Sequence, residues 1–169
     1  MRQYQMVMPH RLIATAALLV LLFAACQRSQ DVTQNKPFIA TNLTAADIAK
    51  LKWLEGNWRG SGADQPPFFE RYRFEGETTL AVDSFPDEKL DRVEDTSRFE
   101  LKNGQFGNSH YAVSSIDDNT VNFEPLAAKN SFRWERVSEN AWKATLKWPA
   151  LGNKPAGERV YNMERIQTK

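Results

Sequence analysis

The sequence predicts an all-β domain whose strands form an antiparallel meander, in either a sandwich or a barrel. Three observations predict this class. Apolar residues follow the helical period in one segment only, residues 43–56. From Trp58 onward they alternate with period two, in about nine short runs. Turn signals such as those at residues 103–104 and 117–119 separate the runs, and no helical run lies between them, which argues against parallel βαβ units.

The N-terminal residues 1–25 predict a cleaved secretory signal peptide. Arg2 and Arg11 supply positive charge, and the uncharged apolar run 12–25 follows them. This run is shorter than the roughly 20 apolar residues that a transmembrane helix needs. We therefore exclude it from the reasoning about fold.

The signal ends in Ala24 and Ala25, directly before Cys26, the single cysteine of the chain. This pattern resembles the bacterial lipoprotein box, which implies that Cys26 carries a lipid anchor. Gln27 rather than an aspartate follows it, which for such lipoproteins implies the outer membrane, with the domain facing the periplasm. The alternative is an ordinary cleaved signal with an incidental cysteine. Residues 26–42 are polar and predict a tether between the anchor and the domain.

Residues 43–169 are long enough for one domain with one core. Without the signal, the 22 Lys and Arg fall to 20 by the loss of Arg2 and Arg11, against 21 Asp and Glu. This mixed, near-zero balance contains no basic stripe, so we expect no nucleic-acid partner. We expect a monomer.

The segment 43–56 predicts a short helix at the start of the domain. Thr44 is placed to cap it, with Asp47 as the acidic partner of a capping box. Its apolar stripe consists of Ile48, Leu51 and Leu54.

The strands that follow predict which side chains share a face. Glu70 alternates in register with aromatic residues, namely Phe68, Tyr72 and Phe74. A carboxyl group that points into an apolar interior has a raised pKa and is a candidate for a functional site. Two alternatives stay open: the strand is flipped near its edge, or Glu70 pairs with an arginine such as Arg133.

The last strand places Arg165 on the same face as Tyr161 and Met163, so a buried guanidinium with a partner is predicted there. Together with Gly56 and Trp58 on the first strand, Arg165 resembles the signature of the calycin superfamily, the lipocalins and fatty-acid-binding-like barrels. In those proteins the tryptophan plugs the closed end and the arginine packs across its face. The resemblance implies an antiparallel up-and-down β-barrel of about 8–10 strands, with the short N-terminal helix capping one end.

Two short motifs narrow the resemblance. WLEGNW at 53–58 and YNMERI at 161–166 look like the ends of a group of uncharacterised bacterial lipocalin-like domains. Those domains carry a His-Asp pair before a phenylalanine in the later strands. This chain has residues 129–131, KNS, before Phe132, so the chemistry of that pair does not carry over.

The sequence therefore predicts a lipid-anchored barrel that binds a small hydrophobic or amphipathic ligand. The candidate wall and orienting residues are Glu70, Tyr72, Phe74, Phe99, Tyr111, Phe123 and Trp134. One alternative is an envelope interaction protein with a packed barrel, and another is a barrel enzyme of the isomerase or cyclase type. We assign no catalytic residue, and we expect neither a cofactor nor a metal, because His110 is the lone histidine after the signal and has no partner at ligand spacing.

Overall fold

The computed structural model describes residues 39–62 and 64–167. The predicted signal peptide, residues 1–25, and the predicted lipidation site Cys26 lie outside the described residues, as does most of the predicted tether.

The chain enters the fold through a short helical segment, α1 at Ala45–Ala49 and a 3₁₀ helix at Lys50–Leu54. The backbone N–H of Thr44 donates to the carboxylate of Asp47 at 3.0 Å, as the predicted capping box requires, and the Thr44 hydroxyl donates to the same carboxylate at 2.9 Å. The residues of the predicted stripe, Ile48, Leu51 and Leu54, are fully buried. Neither helical segment among the described residues is long and apolar enough to cross a membrane.

Ten strands follow the helical segment. They are β1 Gly56–Gly62, β2 Gln65–Glu75, β3 Thr79–Phe85, β4 Asp95–Lys102, β5 Gln105–Gly107, β6 Tyr111–Ile116, β7 Thr120–Pro125, β8 Ser131–Arg136, β9 Ala141–Trp148 and β10 Gly157–Arg165.

Each strand pairs antiparallel with the next in the chain, and β10 pairs with β1, so the sheet closes into an up-and-down barrel. Trp58 lies directly opposite Arg165 in this closing pair. The predicted all-β barrel with a short N-terminal helix is thereby confirmed. Closure leaves no free sheet edge, which is the physical advantage of this architecture.

One predicted strand is wrong. Alternation predicts a continuous strand over residues 105–116, but the structure has β5 and β6 with a turn between them. Asn108 Oδ1 accepts hydrogen bonds from the backbone N–H groups of His110 and Tyr111, both at 2.9 Å, and this side-chain turn breaks the strand. His110 therefore lies in a loop and not in a strand.

The barrel has two unlike ends. The helical segment precedes β1 at one end, which we call the floor, and the odd-numbered strands run from it to the other end, which we call the mouth. The loops that follow β1, β3, β5, β7 and β9 therefore surround the mouth.

The floor half of the barrel is solid. Large side chains there are almost completely buried, namely Trp58, Trp142, Phe106 and Leu80. Trp142 contacts Trp53 and Trp58 edge-on, with ring centroids 6.1 and 6.0 Å apart. The helical stripe joins this cluster, so the helix and the tryptophans together close the floor.

Residues 39–42, which the sequence assigns to the tether, lie against the barrel. Ala40 is buried and its N–H donates to the carbonyl of Val113 at 3.0 Å. Leu43 N–H donates to the carbonyl of Gly104 at 2.8 Å. The backbone ahead of α1 is thus hydrogen-bonded to the barrel.

Candidate functional site

A cavity of about 400 Å³ occupies the mouth half of the barrel, above the tryptophan layer. We call it the aromatic cavity, because eight of its lining side chains are aromatic: Phe68, Tyr72, Phe99, Tyr111, Phe132, Trp134, Trp142 and Tyr161. The remaining lining residues are Glu70, Val82, Ser97, Asn108, His110, Asn130, Ala144, Leu146 and Met163. Lining residues near Trp142 are buried while His110 is exposed, so the cavity opens to solvent at the mouth.

Five of the seven candidate wall and orienting residues line this cavity. They are Glu70, Tyr72, Phe99, Tyr111 and Trp134. They come from four different strands, and the closed barrel brings them together because their side chains all have the inward parity.

Phe74 and Phe123 do not line the cavity. Phe74 shares the inward face of β2 but sits at its floor end, where the ammonium of Lys52 lies 4.0 Å from the ring centroid. Phe123 is fully buried behind Phe132, with which it stacks at a centroid distance of 4.2 Å. Alternation predicts the face of each residue correctly in β2 but not its depth along the barrel axis.

Glu70 points into the cavity, and the two alternatives considered for it are wrong. The hydroxyl of Tyr72 donates to Glu70 Oε2 at 2.8 Å. Arg133 pairs instead with Glu135, at 3.3 Å on the outer face. Burial raises the pKa of Glu70, and the hydrogen bond from Tyr72 opposes that rise. Burial, with the neighbouring Glu70 charge, raises the pKa of Tyr72 well above its ordinary value, so the phenol remains a hydrogen-bond donor at neutral pH.

Two further buried donors belong to residues that line the cavity, and they have no partner among the described residues. Tyr111 donates its hydroxyl proton to Asn130 Oδ1 at 3.1 Å. The other polar atom of that side chain, Asn130 Nδ2, is buried and makes no hydrogen bond to the described residues. Trp142 Nε1 is also buried and unsatisfied. A buried donor without a partner costs about 1–3 kcal/mol, so each of these two groups lowers the stability of the fold.

Sequence reasoning missed several lining residues. Phe132 was available from alternation, since it lies two residues from Trp134, a predicted wall residue. Asn130 carries no such signal, because it lies in the loop before β8 and its approach to Tyr111 depends on the pairing of distant strands.

The residues of the barrel-closing signature meet at the floor. The guanidinium carbon of Arg165 lies 4.2 Å from the centroid of the Trp58 ring. Its nitrogens donate to the carbonyls of Glu55, Trp53 and Glu139, at 2.7, 3.2 and 3.3 Å. Gly56 has φ +133°, and a Cβ there would lie 2.2 Å from Arg165 Nη1. The signature therefore seals the end opposite the cavity and takes no part in lining it.

The raised pKa of Glu70 implies that the stability of the protein depends on pH in a specific direction. The unfolded chain ionises Glu70 near its ordinary pKa of about 4.3, whereas the folded protein keeps the proton to higher pH. Between the two pKa values the folded state holds more protons, so this group lowers the free energy of unfolding as the pH rises through that window. Glu70→Gln, which still accepts the Tyr72 hydrogen bond, should therefore gain stability relative to the natural protein as the pH rises from about 4.3 to the folded pKa of Glu70.

Urea unfolding at several pH values measures this difference. Carboxyls with lowered pKa values, such as Asp83 beside Arg73, lose their stabilising charge at low pH alike in both proteins and cancel in the comparison. Glu88→Gln, at an exposed loop position, is the control that removes a carboxyl group outside the cavity. A pH-independent difference for Glu70→Gln would contradict the prediction.

Comparison with known proteins identifies no family. No protein-family model matches the chain, and no curated protein sequence matches it. Among solved structures, a redesigned β-barrel, b11L5F_LGL, is similar with 10% identity and a TM-score of 0.36, over 76% of this chain and 99% of that one. EF1p2_mFAP2b bound to DFHBI is similar with 8% identity and a TM-score of 0.35, over 73% of this chain and 100% of the other. Likenesses of this degree say nothing about what this barrel binds.

Proposed function

We propose that this protein is a binding protein that holds a small hydrophobic or amphipathic ligand in the aromatic cavity. The observation that carries the proposal is the cavity itself: about 400 Å³ that the side chains of the barrel leave unfilled, walled by eight aromatic rings. Ligand pockets in proteins commonly have this size and character, with a few polar groups that orient the ligand. A ligand that buried about 200 Å² of apolar surface would gain about 5 kcal/mol from its removal from water.

The cavity favours binding over the packed-barrel alternative. A barrel that acts only through its outer surface needs no interior space, and the floor half of this barrel shows how completely its side chains can fill it. The mouth half instead keeps an opening lined by Phe68, Tyr161 and His110.

Binding of Nile red, a neutral dye that fluoresces in apolar surroundings, tests the proposal. We expect saturable fluorescence with one site per barrel. Ala144 is buried between Trp134 and Tyr161 in the strand register and lines the cavity, so Ala144→Phe places a ring inside it. This variant should bind the dye at least tenfold more weakly.

Lys143→Phe is the matched control, because it adds the same ring on the same strand but on the exposed outer face. Its dye affinity should equal that of the natural protein. Equal dye affinity in both variants, or no saturable binding at all, would refute an interior site and favour the packed barrel. Native mass spectrometry of protein from its own host would then show whether any extra mass beyond an acyl modification accompanies it.

We also propose that the chain is lipid-anchored at Cys26 in the outer membrane, facing the periplasm, and that its barrel is a member of the calycin superfamily. The support for the anchor is the sequence Ala24-Ala25-Cys26 after an apolar run. The support for the superfamily is the Trp58 and Arg165 contact at the floor. Several acyl chains would hold such a protein stably on a membrane. Cys26→Ser should abolish incorporation of labelled fatty acid and release the protein from the membrane fraction.

A further inference from the structure

The charges around the aromatic cavity restrict the ligand further. Glu70 is its single carboxyl group, and neither lysine nor arginine lines it among the described residues. The arginines that flank Glu70 on β2 have the opposite parity and bond elsewhere: Arg71 Nε donates to Asn57 Oδ1 at 2.8 Å, and Arg73 Nε to Asp83 Oδ2 at 2.9 Å. The described lining therefore holds one carboxyl group and neither lysine nor arginine, and its histidine, His110, lies at the exposed mouth.

The hydrogen bonds of Glu70 leave room for a partner. Tyr72 donates to Oε2, and Oε1 accepts no hydrogen bond from any residue in the described ranges. An ionised carboxylate can accept bonds at both oxygens, so an unused acceptor faces the cavity. Glu70 was placed on this face by sequence alternation, and the structure adds that neither lysine nor arginine shares the described lining with it.

The walls around Glu70 suit a cation. Phe68 and Tyr72 flank it two residues away on the same face of β2. Tyr72 in turn meets Trp134 and Trp142 edge-on, at centroid distances of 5.7 and 5.4 Å. The faces of such rings attract ammonium groups, and the attraction strengthens where water is excluded.

Resting on the proposed function, we infer that the ligand of the aromatic cavity is a small organic amine, whose ammonium group pairs with Glu70 Oε1 while its apolar body lies against the aromatic walls. An anionic ligand is disfavoured, because it would be buried with an acidic side chain and without any lysine or arginine. The raised pKa of Glu70 fits an acid that lacks its partner, and an ammonium beside it would restore the charged form.

Competition against bound Nile red by octylamine, octanol and octanoate at pH 7 tests this inference, since the three probes share one apolar chain and differ in charge. We expect octylamine to displace the dye about tenfold more effectively than octanol, and octanoate to be the weakest. In Glu70→Gln the preference of amine over alcohol should disappear. Because the comparison is a ratio within each protein, a general change in dye affinity does not affect it.

Glu135→Gln is the control, since it removes a carboxylate from the outer face of β8 and should keep the amine preference. Equal displacement by amine and alcohol, stronger displacement by octanoate, or an amine preference that survives in Glu70→Gln would overturn the inference. In each of these cases the dye is still bound and the proposed function stands. Loss of saturable dye binding in the natural protein would instead remove the proposed function itself.

Discussion

Replacing Trp58 with alanine is expected to lower the free energy of unfolding by about 3–5 kcal/mol, as for other fully buried tryptophans. Trp58 is 1% exposed. Its Nε1 donates to the carbonyl of Leu54 at 2.6 Å and so satisfies the end of the 3₁₀ helix. The variant would lose this bond, the contact with Trp142 and the surface on which Arg165 lies. Urea unfolding followed by circular dichroism measures the loss.

A double-mutant cycle with Arg165→Ala tests the specific contact. We expect the two substitutions to be coupled by about 1–2 kcal/mol, the range for a cation–π pair shielded from water. Trp148→Ala is the control, because this tryptophan is 37% exposed at the mouth end of β9 and should cost no more than about 1 kcal/mol. If the effects of Trp58→Ala and Arg165→Ala on the free energy of unfolding are additive, Trp58 stabilises the barrel only by filling space. If Trp58→Ala lowers the free energy of unfolding no more than Trp148→Ala does, Trp58 does not close the floor of the barrel.

Gly107→Ala is expected to destabilise the protein by about 2–3 kcal/mol, through overpacking against rigid backbone. The pairing of β5 with β6 rests on one residue pair, Gly107 and Ala112. A Cβ on Gly107 would lie 2.2 Å from the carbonyl oxygen of Tyr111 and 2.8 Å from the Cα of Ala112. Neither atom can move without separating the two strands, so we expect the pairing between β5 and β6 to be disrupted.

Hydrogen exchange locates this effect. Amides of β5 and β6 should exchange faster in Gly107→Ala, while those of β9 and β10, whose pairing spans eight residue pairs, should change little. Gly152→Ala is the control: its φ is +57° but a Cβ there meets nothing within 4 Å, so it should cost about 1 kcal/mol from backbone strain alone. An equal loss of stability in the two glycine variants, or a uniform change in amide exchange across the barrel, would show that the β5–β6 pairing is no weaker than the other strand pairings. Because Asn108 and Tyr111 line the cavity, the same variant should also weaken Nile red binding.

Much of this architecture could be predicted because the deciding forces are local. Alternation with period two placed Glu70 and Tyr72 on the inward face, and both line the cavity. The capping pair of Thr44 and Asp47 marked the start of the helix. The turn after β5 was missed because the period-two alternation of residues 105–116 was followed across Gly107 and Asn108, although the Asn108 side chain ends the strand there.

The candidate site was predictable only in part. Parity says which face a side chain takes, but Phe74 and Phe123 show that it does not say how deep along the barrel the side chain lies. Depth follows from strand tilt and stagger, which depend on all ten pairings together. The same holds for Asn130, whose contact with Tyr111 joins β6 to the loop before β8.

By itself the sequence determined the class of fold, the helical plug and the face of most aromatic residues, because side-chain alternation and capping act between near neighbours in the chain. Only the tertiary structure decided that the floor half is filled while the mouth half is open, and that Glu70 lies among aromatic rings in a cavity whose described lining contains neither lysine nor arginine. Those features arise where residues from β2, β8 and β9 converge, and the distance between such residues is set by the closure of the whole barrel.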